Sequence, residues 1–159
     1  MSTKLNSDLL TGSVVQSVAA YYSAYTSTSV TKAWDDTAPT SSDGAEVVTV
    51  SITPKSASNT LRISAQVVGS LASASAGVMW IVRDSGSSAL CSSWCAPAGA
   101  DYGMQIHTAA DVSAASVAPT IFKMRVSVSA GAFYINGGTS ARRYGGSLKT
   151  YIRVDEIAA

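Results

Sequence analysis

The sequence predicts an all-β domain, an antiparallel β-sandwich or jelly roll of about eight to ten strands. Three observations point there. Apolar residues recur with period two along several segments, the spacing that puts one strand face in a core and the other outside. Only two Glu and five Lys occur in 159 residues, which removes much of the usual material of exposed helices. Clusters of Gly, Pro, Asn and Ser interrupt the periodic runs at short intervals, as turns between strands require.

The elements follow in order. Gly12–Tyr22 and Tyr25–Trp34 read as strands, the second rich in Thr and Ser. In residues 46–53, Val48, Val50 and Ile52 share one face, with Thr49, Ser51 and Thr53 opposite. Pro54–Asn59 is a turn, after which residues 60–69 place Leu61, Ile63, Ala65 and Val67 inward and Arg62, Ser64 and Gln66 outward. Ala76–Val82 is the longest apolar run and suits a buried strand; Trp80, between Met79 and Ile81, is expected in the core. Asp84–Ser87 reads as a hairpin turn between Val78–Arg83 and Ala89–Cys95. Met104 and Ile106 alternate inward, while Asp111–Ser116 is expected to form a short helical turn. Residues 122–129 alternate cleanly, Phe133–Ile135 is a short strand between glycines, and Leu148–Val154 closes the pattern. Residues 1–11 form an expected N-terminal arm and 12–159 a single β-sandwich domain, adequate in size for one core.

Charge narrows the function classes. Charged residues are 13% of the chain, with a formal net charge of +1, against about 25% charged in an ordinary domain. A nucleic-acid partner needs a basic face to displace phosphate counterions, and a polybasic membrane surface needs the same, so neither is expected. No stretch reaches the ~18–20 apolar residues of a membrane-spanning helix, and Gln16 and Ser17 interrupt the one N-terminal run that resembles a leader. The 27 Ser, 25 Ala and 14 Thr leave strand faces that are flat and weakly charged. Subunit association would remove such faces from water, so a homo-oligomer is expected.

The chemistry-bearing residues are few. His107, the only histidine, is expected on an outer strand face, and no Gly-x-Ser-x-Gly elbow accompanies it. Asp35, Asp36, Asp43 and Glu46 fall in one segment; they suit turn hydrogen bonds, with a cation site as the alternative. Cys91 and Cys95 with His107 make at most three zinc ligands, where a structural site takes four. On an extended strand the two thiols would lie roughly 13 Å apart, beyond disulfide reach, so two reduced cysteines are expected. The glycines of residues 137–147 lack the Gly-Lys-Ser/Thr ending of a phosphate loop; Arg142 and Arg143 within them are candidates for salt bridges across a subunit contact. Trp34, Trp80, Trp94 and Tyr102 are the aromatics able to stack on a sugar. The candidate surface contacts are therefore Trp94, Tyr102, Arg142 and Arg143, with no catalytic residue, metal or cofactor expected.

Three segments together resemble a family of small β-rich virion proteins of tailed bacteriophages: Trp34–Pro39 continuing to Asp43–Glu46, Ile52–Ile63, and Arg143–Ser147 followed by Tyr151–Ile157. Gly12–Gln16 is similar too, and the likeness spans roughly residues 12–157, weakest over 70–118. The resemblance implies a jelly-roll-like sandwich, usually trimeric, displayed on the head or tail of a virion, with no catalytic residues to carry over. The expected function is a non-enzymatic virion structural protein, a capsid decoration (cement or head-fibre) module assembled in the host cytoplasm and bound to the major capsid protein. With a short arm before the sandwich and no fibre shaft, the decoration role ranks first. The alternative is a tail-fibre module, bound to tail proteins, whose loops contact a host surface glycan.

Overall fold

A computed structural model describes residues 11–84, 86 and 88–159; the arm expected at 1–11 lies outside the described residues apart from its last position. Ten strands follow in chain order: β1 Val14–Tyr22, β2 Thr26–Thr28, β3 Ala45–Ile52, β4 Thr60–Leu71, β5 Gly77–Arg83, β6 Ala89–Cys95, β7 Met104–Ser113, β8 Thr120–Val128, β9 Phe133–Ile135 and β10 Thr150–Ile157. They form two antiparallel sheets packed as a jelly-roll-like sandwich.

The first sheet is organised around β4, the longest strand. One edge of β4 pairs with β10 over Thr60–Gln66 and then with β9 over Gly69–Leu71, while β7 runs along the other edge. β1 lies outside β10, and β2 outside β9. The second sheet has the order β3-β8-β5-β6. Pro54–Asn59 therefore carries the chain from one sheet to the other rather than closing a hairpin.

Alternation along each strand delivers the core. Leu61, Ile63, Ala65 and Val67 of β4 meet Val48, Val50 and Ile52 of β3 and Phe122, Met124 and Val126 of β8, joined by Ile152 and Val154. A fully buried side chain of this kind contributes about 1.5–3 kcal/mol, so the inner faces dominate stability.

Where the first sheet changes partner from β10 to β9, a buried polar cluster satisfies the backbone. Asn136, at φ 59°, donates from its amide to the carbonyls of Tyr22 and Ala24, and its Oδ1 accepts from the Thr150 hydroxyl at 3.0 Å. The Thr150 hydroxyl in turn lies 3.3 Å from the Val68 amide that donates to it. Asn tolerates the left-handed conformation and can serve several backbone groups at once.

Three expectations need correction. Of Tyr25–Trp34 only Thr26–Thr28 is a strand, because β9 offers three pairing residues and the chain then crosses to the second sheet. Asp111–Ser113 continues β7 instead of turning, since β4 supplies paired backbone as far as Thr60. The last strand begins at Thr150, not Leu148, and runs to Ile157 along both β1 and β4.

Trp80 is fully buried, but not between the sheets. Met79 and Ile81 point into the core, whereas Trp80 and Val82 face the opposite way and are still inaccessible to solvent. The segment between β2 and β3 covers them. It bridges β8 at Thr31 and Val128, crosses the face, and bonds the start of β6, where the Ala89 amide donates to the Pro39 carbonyl at 2.8 Å. The Trp80 indole N–H donates to the Thr40 carbonyl, and Arg125 donates to the Asp43 and Gly44 carbonyls. Gly44, at φ 63°, lies against the Trp80 ring where a Cβ would clash.

Candidate functional site

The strand register sends the connections 23–25, 72–76, 96–103, 129–132 and 136–149 to one end of the sandwich. Of the candidate contact residues, Trp94 and Arg143 line two separate clefts, while Tyr102 and Arg142 line neither.

The first cleft, of about 540 Å³, opens on the outer face of the second sheet. Its walls are the covering segment, with Trp34, Asp35, Asp36 and Pro39, and the strand residues Val78, Ser92 and Trp94. Trp94 points outward because Cys91, Ser93 and Cys95 take the other side of β6. Trp34 and Trp94 are each more than half exposed, and their rings meet edge to face at 4.9 Å and 87°. The wall is fixed by turn chemistry. The Thr37 amide donates to Asp35 at 2.9 Å and holds that carboxyl below the usual carboxylate range. The amide and hydroxyl of Thr40 do the same for Asp43. Glu46 turns away to Lys123 and Arg125. These carboxylates build turns and ion pairs, and among the described residues no group of three or more His, Cys, Asp or Glu side chains is placed to hold a metal.

The second cleft, about 400 Å³, lies between the β6–β7 and β9–β10 connections. Asp101 anchors it: its Oδ1 accepts from the Thr139 amide at 2.7 Å and the Ser70 hydroxyl, and Arg143 pairs with its other oxygen at 3.5 Å. The Thr139 bond leads in lowering the Asp101 pKa. Arg142 donates to the Ser23 carbonyl at 3.1 Å and lies over Gly146. Both arginines thus have partners within their own chain. Tyr102, well exposed, stands beside Gly99 and joins neither tryptophan.

The outer face of the first sheet is open and shallow. Its rows, read across the register, are Ser17–Asp155–Arg62–Asp111, Ala19–Arg153–Ser64–Ala109 and Tyr21–Tyr151–Gln66–His107. Arg62 grips Asp111 with two bonds, and Arg153 bonds Asp155 at 2.8 Å, so the four charges neutralise in pairs. His107 stands exposed on this face, 3.4 Å from Gln105. Cys91 and Cys95 are free and lie four positions apart on β6, half-buried against the core; burial pushes the Cys91 thiol up.

Sequence reasoning did not single out Glu156, which is fully buried. It accepts from the Lys55 and Ser56 amides, the Asn59 side chain and the Gln16 side chain. Burial works to raise its pKa, and these four donors outweigh it, leaving the carboxyl below the ordinary value. The available signal was a glutamate at an inward position of an alternating strand.

No protein-family model matches this chain, and no curated protein matches it. Among solved structures it is similar to Eiger TNF from S. frugiperda, with a TM-score of 0.50 and 13% identity, covering 89% of this chain and 93% of that one. At that identity the likeness is one of fold, and it agrees with the jelly-roll-like sandwich described above.

Proposed function

We propose that this chain is a non-enzymatic structural protein of a tailed-bacteriophage virion, a trimeric decoration module on the capsid exterior. The observation that carries the reading is the outer face of the first sheet. It is charge-compensated, built from Ser, Ala, Gln, Tyr and His around the Arg62–Asp111 and Arg153–Asp155 pairs, and nothing in the chain covers it among the described residues. Association with sister subunits or with the major capsid protein would remove it from water, and net neutrality spares many crowded copies from repelling one another. The likeness of residues 12–157 to small virion proteins supports the same reading. His107 on an open face, and Asp35 and Asp43 committed to turns, favour a structural role over a catalytic one.

Light scattering on the purified protein, followed by cryo-EM of intact particles, tests this. The expected result is a trimer in solution and many copies on the head. Ser64→Arg, between Arg153 and Ala109 on that face, is expected to leave unfolding unchanged and to disrupt assembly. A monodisperse monomer would overturn the oligomer, and finding the chain only on the tail would overturn decoration. The tail reading, a module touching a host glycan, draws its support from the Trp34–Trp94 cleft.

A further inference from the structure

We propose that the Trp34–Trp94 cleft binds a neutral pyranose, with the sugar's C–H face stacked on an indole and its hydroxyls bonded to the cleft wall. The inference deepens the glycan-contact reading by placing the site and naming the ligand class. Three features carry it.

The first is the corner made by the two tryptophans. Each is more than half exposed on a molecule that buries its third tryptophan completely. Exposing two large apolar rings side by side is costly unless something covers them. An indole face is electron-rich and flat, and matches the weakly positive C–H bonds on one side of a pyranose ring.

The second is the lining. At about 540 Å³, the cleft falls inside the range of roughly 300–1,000 Å³ typical of small-ligand sites. Val78 supplies an apolar floor, while Ser92, Thr37, Asp35 and Asp36 supply hydroxyl and carboxylate groups. Apolar stacking beside a few convergent polar groups suits a sugar better than a purely apolar ligand. The walls are preformed by the Asp35–Thr37 and Asp43–Thr40 bonds and by the Trp80 anchor beneath, so ordering costs little on binding.

The third is charge. Asp35 and Asp36 both line the cleft, and Lys32, the one cationic side chain lining it among the described residues, is mostly buried and lies 3.5 Å from Asp35. A carboxylated or phosphorylated sugar would meet uncompensated negative charge. The site therefore selects neutral sugars over acidic ones.

The three indole N–H signals in a ¹H–¹⁵N spectrum provide a direct readout. Titration with methyl β-D-glucopyranoside, methyl β-D-galactopyranoside and N-acetylglucosamine should move two of them. The third, from Trp80 bonded to Thr40, should stay in place. Glucuronate and N-acetylneuraminate should move none. Trp94→Ala should weaken binding by about tenfold or more, Trp94→Phe should retain part of it as a guard against misfolding, and Tyr102→Ala should leave it unchanged. The proposal is overturned if no neutral pyranose shifts either exposed indole up to tens of millimolar, if acidic sugars bind as well, or if Trp94→Ala binds normally. Competition of phage adsorption by the purified protein separates the two levels: sugar binding without competition would remove the receptor role and leave the cleft as a sugar site.

Discussion

The two outer faces of the sandwich carry different side chains and end in opposite states. On the second sheet, Trp80 and Val82 face away from the core, and the segment from Val30 to Gly44 folds back over them and is clamped by Arg125. On the first sheet, the outward positions include Ser17, Ala19, Ser64 and Ala109, the Arg62–Asp111 and Arg153–Asp155 pairs, and Tyr21 and Tyr151, and among the described residues no segment returns to cover them. Large apolar side chains make self-coverage favourable enough to order a long connection. Small and paired-charge side chains do not, because little apolar area would be gained for the conformational entropy lost. The face left bare is the one open to another chain, and the covering segment on the other face supplies a wall of the tryptophan cleft.

The largest expected effect comes from breaking the covered face. Trp80→Ala removes a fully buried ring and its bond to Thr40, and a truncation of this size costs about 3–5 kcal/mol. The urea midpoint should fall accordingly. Because Trp80 anchors the covering segment, Trp34 should also lose its fixed position against Trp94, visible as a moved Trp34 indole signal. A cost near that of a surface substitution would show that the segment does not depend on the ring.

Period-two runs made the sandwich legible, since inward residues such as Val48, Leu61 and Met124 are set by alternation alone. The unbroken run from Ala76 to Val82 also carried the double coverage of β5, because a strand apolar on both faces needs something against each. What covers the second face was not legible. Residues 29–44 have strand-like and turn-like composition, and their place depends on pairing with Val128 and Ala89, which are distant in sequence. The Trp34–Trp94 corner was hidden for the same reason: Trp94 could be read as a surface residue, but its partner comes from that crossing segment. Arg142 and Arg143 were visible as unpaired charges in a glycine-rich stretch, and their partners Ser23 and Asp101 arrive only through the topology.

A second, intermediate effect probes the seam common to both faces. Glu156, on β10 of the first sheet, holds the crossover from β3 to β4 through the Lys55 and Ser56 amides and Asn59. Glu156→Gln removes the charge and leaves an amide group facing donors, at an expected cost of about 2 kcal/mol. The sign of the pH dependence follows from the lowered pKa of the folded state. The unfolded chain binds this proton more readily, so the contribution is complete above the ordinary glutamate value of about 4.3 and fades as pH falls through the folded value. The wild type should lose stability in that acid window, and the variant should lose less of it. Parallel acid limbs for the two proteins would mean that the four donors do not discriminate charge.

The smallest effect on the isolated chain should come from the bare face, and it distinguishes a solvated surface from a latent interface. Arg62 and Asp111 are both about half exposed, and an exposed ion pair contributes little in water, a bidentate one toward the upper end of that small range. Arg62→Ala should therefore lower the unfolding midpoint of the isolated chain only slightly. In an assembly that covers this face the outcome differs, because the substitution leaves Asp111 without its partner in a site from which water is excluded. Subunit association measured against protein concentration should then weaken, by far more than the change in folding stability. If both quantities stay at their wild-type values, Arg62 does not lie in a subunit interface, and the proposal that this face is buried on association loses its support at that position.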